Sequence, residues 1–131
     1  MLTIIEQKDL SAYAELLRDL PIPAGTVLHL TEAKDGDAVK GYIAYSYEPE
    51  QVVVYTVADG GDWDQCDGLV RSVLFKAELK GIEQAFFPVE DVAMLERLQK
   101  LGFVKNDEKI LYPIADIMES CKKCGENQAN T

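Results

Sequence analysis

Basic residues and long apolar runs are scarce in this 131-residue chain, and each scarcity closes off a class of function. Lys and Arg number 13 against 23 Asp and Glu, a net charge of −10, and the densest basic cluster is the pair Lys122 and Lys123. Such a field repels polyphosphate backbones and anionic membrane surfaces unless a local basic patch outweighs it. Nucleic acid and membrane therefore drop out as expected partners. No uncharged apolar window nears the roughly 20 residues of a membrane helix; the best is VVVYTVA over 52–58. The opening MLTIIEQKDL carries no apolar segment behind a basic one, so the expected compartment is the cytoplasm. Three cysteines, an odd number, make no disulfide framework.

With 47% apolar and 27% charged residues, the chain reads as one globular domain over 1–114, followed by a short helix and polar tail over 115–131. LTIIE has strand character. A helix follows in which Leu10, Tyr13, Leu16, Leu17 and Leu20 recur at three- and four-residue spacing until Pro21 and Pro23 stop it. TVLHLT (26–31) and AVKGYIAYSY (38–47) flank EAKDGD, whose Asp35-Gly36 pair signals a tight turn, so an antiparallel hairpin is expected. VVVYTV (52–57) is apolar on both faces, as a central strand is. After a loop rich in Gly and Asp, a helix from Asp67 places Val70, Val73, Leu74 and Ala77 on one face and ends at Gly81. A strand at IEQAFF, a helix at DVAMLERLQKLG and two short strands within FVKNDEKILYPI complete the order. The expected class is α/β in the α+β sense: a mixed, mostly antiparallel sheet of six to seven strands with about three flanking helices. A strand, a crossover helix and a strand imply one parallel pairing within it.

Two local motifs carry a resemblance. Leu101-Gly102-Phe103 stands where a helix meets a strand, and Gln65-Cys66-Asp67-Gly68-Leu69-Val70 opens the central helix. Together with the element order over residues 1–114, they make the chain similar to the GNAT acetyltransferase superfamily. Its habitual leucine-glycine-phenylalanine the first motif matches, and its acyl-CoA pattern Q/R-x-x-G-x-G/A the second resembles, with valine in the last place. The resemblance implies acetyl-CoA as co-substrate and a small-molecule or peptide amine as acceptor. It also implies a cofactor site at Thr56, Val57, Gln65, Cys66, Asp67, Gly68, Leu69 and Val70. Physically, unpaired N–H groups at a helix N-terminus can cradle a pyrophosphate, and Gly68 would allow close approach. A strand edge near Thr56 and Val57 could pair with the pantetheine arm. Between Val57 and Gly68 stand Asp59, Asp62, Asp64 and Asp67 with no Lys or Arg, and Leu98 occupies the place of the family's thiolate-protonating tyrosine. Catalytic residues are left unassigned.

Other residues keep two readings each. His29 is the sole histidine, a hydrogen-bonded strand residue or a cleft base. Cys66 is a small loop residue or a thiol activated at a helix N-terminus. Trp63 pins the loop to the domain or caps a ligand. Cys121 and Cys124 form a lone C-x-x-C pair; a second copy in a homodimer, or Cys66 and His29, would have to complete a zinc site, and a tail helix with Ile114, Ile117, Met118 and Cys121 on one face needs no metal. Two functions are thus weighed: an acyl-CoA-dependent N-acyltransferase, and a catalytically degenerate ligand-sensing or protein-interaction module of the same fold, which the acidic loop and Leu98 favour.

Overall fold

The computed structural model describes residues 2–118. Strand β1 (Leu2–Gln7) leads through a 3-10 turn (Ser11–Tyr13) into helix α1 (Ala14–Arg18), followed by β2 (His29–Asp35), β3 (Ala38–Tyr47) and β4 (Val52–Ala58). Helix α2 (Trp63–Leu79), β5 (Ala85–Phe86), α3 (Val92–Leu101) and β6 (Ile110–Leu111) follow, and residues 114–118 are helical. The six strands form one sheet in sequence order. Only β4 and β5 run parallel, where α2 supplies the crossover; the other pairings are antiparallel. This is the mixed α+β sheet expected, with the single parallel pair in the expected place.

Local chemistry sets the boundaries. The β2–β3 hairpin turns on Gly36 at φ 62°, between the paired residues Asp35 and Ala38. Strand β2 runs through Glu32 to Asp35, a stretch whose acids read as turn in the sequence. Glu32 is buried in the sheet because the Tyr13 hydroxyl donates to its carboxylate and Gln7 Nε2 approaches at 3.4 Å. The first helix is shorter than its leucine pattern suggests. Neither its 3-10 turn nor α1 has a side-chain cap at its start, and Leu16 is left exposed. Tyr13, Leu30 and Ala44, with Leu10, Leu17, Leu28 and Tyr42, form the small core on this face.

The main core lies on the other face, beneath α2 and α3. Leu69, Val70, Val73, Leu74 and Ala77 of α2 meet Val52, Val54 and Val57 of β4, Phe87, and Leu98 of α3. Helix α3 begins with Asp91 accepting from the Ala93 and Met94 amides and ends at Gly102 (φ 91°), whose left-handed conformation stops the helix. Phe103 and Val104 are buried without forming a strand, so one of the two final strands expected, β6, is present among the described residues. Ile114 and Ile117 are buried in the same core. Cys121 and Cys124 lie outside the described residues, as do the zinc and homodimer readings that rest on them.

Gly41 lets the β3 backbone approach the end of β4. A Cβ there would collide with the Ala58 carbonyl and with Gln65 Nε2. Gly41→Ala is expected to destabilise the protein by about 1–3 kcal/mol, through overpacking against backbone. Urea unfolding checks this, and a loss below about 0.5 kcal/mol would contradict the close approach.

Candidate functional site

Strand β4 is irregular on both edges. Toward β3, Ala44 pairs with Thr56 and Tyr45 with Val54, so Tyr55 is an extra residue and β4 bulges there. Toward β5 the ladder holds only Val52↔Ala85 and Val53↔Phe86. Beyond Phe86 the chain passes through Phe87 and Pro88 to α3, while β4 continues to Ala58. Proline has no N–H with which to extend the ladder. The two parallel strands therefore part, and the edge of β4 from Val54 onward is outside the β5 ladder.

The loop at the end of β4, residues 59–62, is knitted by its own acids. The Asp59 carboxylate accepts from the Gly61 amide at 2.9 Å and from Arg97 of α3. The Asp59 carbonyl accepts from Gln65 Nε2 at 2.9 Å and from the Asp62 amide at 3.1 Å. Gln65 Nε2 also donates to the Lys40 carbonyl at 2.9 Å, tying the loop to the β2–β3 hairpin. Asp62 caps α2: Oδ1 accepts from the amides of Asp64 (2.9 Å) and Gln65 (3.2 Å), and its carbonyl accepts from the Cys66 amide at 3.0 Å. The positive end of the helix dipole, where an anion would sit, is thus held by the helix's own carboxylate.

Trp63, the first residue of α2, is partly exposed. The Arg97 guanidinium lies 5.5 Å from the centre of its ring and the Lys100 ammonium 5.9 Å, so Trp63 pins the loop to α3 by cation–π contact. Arg97 ties α3 to the end of β4 through Asp59, which is 4% exposed.

No family model matches the chain, and no curated protein matches it in sequence. Solved structures do. The ribosomal-protein-S18-alanine N-acetyltransferase of Escherichia coli superposes with a TM-score of 0.60 at 14% identity, over 87% of this chain and 94% of its own. A GNAT family acetyltransferase from Elizabethkingia anophelis, with acetyl-CoA bound, gives 0.56 at 17% identity, covering 81% and 78%. A protein of the GNAT family from Desulfovibrio desulfuricans gives 0.56 at 15%, covering 76% and 82%. The chain has the GNAT fold.

Within this GNAT fold the eight sequence-derived site residues fall into three groups. Thr56 and Val57 sit at the end of β4, paired with Ala44 and Ile43. Gln65 braces the loop beneath them. Cys66, Leu69 and Val70 are fully buried core residues, and Asp67 and Gly68 lie on the flank of α2, Asp67 held by Arg71 at 2.9 Å and Gly68 facing Ile4 of β1. The stretch from Gln65 to Val70 lies within α2, because Asp62 caps the helix five residues before the expected start at Asp67. The acidic loop is also less bare than the sequence implies: Arg97 neutralises Asp59, and Arg71 neutralises Asp67. Arg97 was invisible in the sequence, since it stands among the polar residues of α3 with nothing local to mark it.

His29 is a hydrogen-bonded strand residue that also lines an open cavity with Glu6, Tyr47, Lys76 and Lys80. Its Nδ1 lies 3.4 Å from Glu6 Oε2 and its ring stacks on Tyr45. Among the described residues no group of three or more His, Cys, Asp or Glu side chains could hold a metal ion. No described helix is long and apolar enough to cross a membrane. Cys66 is not an activated thiol. Burial pushes it up to about 12, with the Asp59 carboxylate adding to the shift, and Sγ lies 3.9 Å from Met94 Sδ. Iodoacetamide at pH 8 is expected to leave Cys66 unlabelled in the folded protein and to label it in denaturant, as peptide mass mapping would show. Equal labelling in both states would contradict the burial.

Proposed function

We propose that the protein is an acyl-CoA-dependent N-acyltransferase, with acetyl-CoA as donor and an amine as acceptor. The observation that carries this reading is the parting of β4 and β5 after Val53↔Phe86, opposite a bulge at Tyr55. A strand edge released from its neighbour offers backbone donors and acceptors to an amide-bearing chain, and a pantetheine arm is such a chain. The donor would lie along β4 past Thr56 and Val57, and a backbone N–H near the bulge would polarise the thioester carbonyl. The fold neighbour with acetyl-CoA bound supports this donor by resemblance.

The chemistry would be direct attack of a neutral amine on the thioester carbon, expelling the thiolate. Strand β4 carries no carboxylate, and Leu98 is fully buried. Proton transfer then falls to water, with the rate resting on positioning. The net charge of −10 favours a cationic acceptor.

One observation favours the second reading, a GNAT-fold ligand-sensing or interaction module without catalysis: Asp62 already fills the helix N-terminus that would hold a donor pyrophosphate. Calorimetric titration with acetyl-CoA decides between them. Heat with a Kd below about 1 mM, and free CoA released when a panel of amines is added, is the expected result. No heat at about 1 mM would contradict the enzyme and leave the module.

A further inference from the structure

We propose that the Asp59–Arg97 ion pair is a latch across the mouth of the β4–β5 opening, released when a phosphate-bearing anion takes Arg97 from Asp59. The proposal rests on the donor lying in that opening, and it names the residue pair that controls entry. Asp59 immediately follows β4, and Arg97 stands on α3, the helix that β5 leads into. Their bond therefore ties the end of β4 to α3, the helix that follows β5.

Three features make the pair exchangeable rather than a fixed strut. First, the bond to Asp59 runs from Nη1 of the guanidinium, while its Nε is buried and has no hydrogen-bond partner among the described residues. A guanidinium carries further N–H donors besides the one that Asp59 holds, and 19% of the Arg97 side chain is open to solvent, so an anion arriving there can compete with Asp59 for it. Second, Lys100 stands one turn along α3, 5.9 Å from the same Trp63 ring that Arg97 covers, so two cations converge beside one partly exposed aromatic. The Lys100 contact with Glu96, at 3.1 Å between two well-exposed side chains, is weak competition. Third, losing Arg97 would not dismantle the loop. The Asp59 carboxylate keeps the Gly61 amide, and its carbonyl keeps Gln65 and Asp62.

The groups opposing an anion here are Asp62 and Asp64 at the start of α2 and Asp91 and Glu96 on or before α3, along with Asp59 itself. They explain why a latch is needed at all: with so many acids close by, Arg97 is neutralised until a stronger anion arrives. The exchange is purely ionic, and no covalent bond changes.

Trp63 is the only tryptophan, so its emission reports on both cations directly. The test is a fluorescence titration at constant ionic strength with inorganic pyrophosphate and, separately, with acetyl-CoA, on the wild type, Asp59→Asn and Arg97→Gln. A saturable change with pyrophosphate is expected in the wild type. Asp59→Asn should bind at least fivefold more tightly and Arg97→Gln at least tenfold more weakly. Equal or weaker binding by folded Asp59→Asn, or no change in Trp63 emission at saturation, would overturn the latch. If pyrophosphate acts and acetyl-CoA does not, the latch stands and the acyl-donor reading fails; acetyl-CoA binding equally to wild type and Asp59→Asn has the opposite meaning. Should Asp59→Asn fail to fold, the Arg97 Nε–H resonance in the wild type replaces it. A shift on adding pyrophosphate supports exchange, and an unmoved resonance overturns it.

Discussion

The hydrogen bonds and ion pair made by Asp59 hold the functional end of this molecule together. One carboxylate and one carbonyl reach the Gly61 and Asp62 amides, the side chain of Gln65 on α2 and Arg97 on α3. Gln65 passes the constraint on to the β2–β3 hairpin through the Lys40 carbonyl. Gly41, without a side chain, makes room for that bridge. The Asp59 carboxylate keeps the Gly61 amide as a second partner, so Arg97 adds charge neutralisation to a loop that its own backbone donors already brace.

The same set of bonds defines what the site can do. A helix N-terminus is an anion site only while its amides are free, and here Asp62 occupies two of them. The proposed donor would instead use the edge of β4, which leaves the β5 ladder after Val53↔Phe86. On the proposed reading, the thioester arm of a donor would use this edge, while Asp62 occupies the helix amides that its phosphates would otherwise meet. Arg97 and Lys100, gathered around Trp63, are the cations nearest to that missing function.

What could be read from the sequence was whatever local periodicity controls. The run Val52 to Val57 announced a strand covered on both faces, the spacing of Val70, Val73, Leu74 and Ala77 announced the buried face of α2, and Gly102 announced the end of α3. The α2 start was misplaced because aspartates and glycines read as loop, whereas Asp62 and Asp64 serve the first turn of the helix as cap and first-turn acid. Strand β2 ran further than its pattern because Glu32 finds Tyr13, a partner 19 residues away. The Asp59–Arg97 pair spans 38 residues, beyond any motif. Where a polar residue's role is set by a distant partner, the sequence shows only its polarity.

Amide hydrogen exchange read by NMR, with and without about 1 mM acetyl-CoA, tests most directly whether the donor uses the strand edge and not the helix terminus. Slower exchange is expected at the β5-facing amides of Val54–Ala58, with the Asp64 and Gln65 amides unchanged because Asp62 still caps them. Protection of Asp64 and Gln65 with β4 unaltered would contradict it.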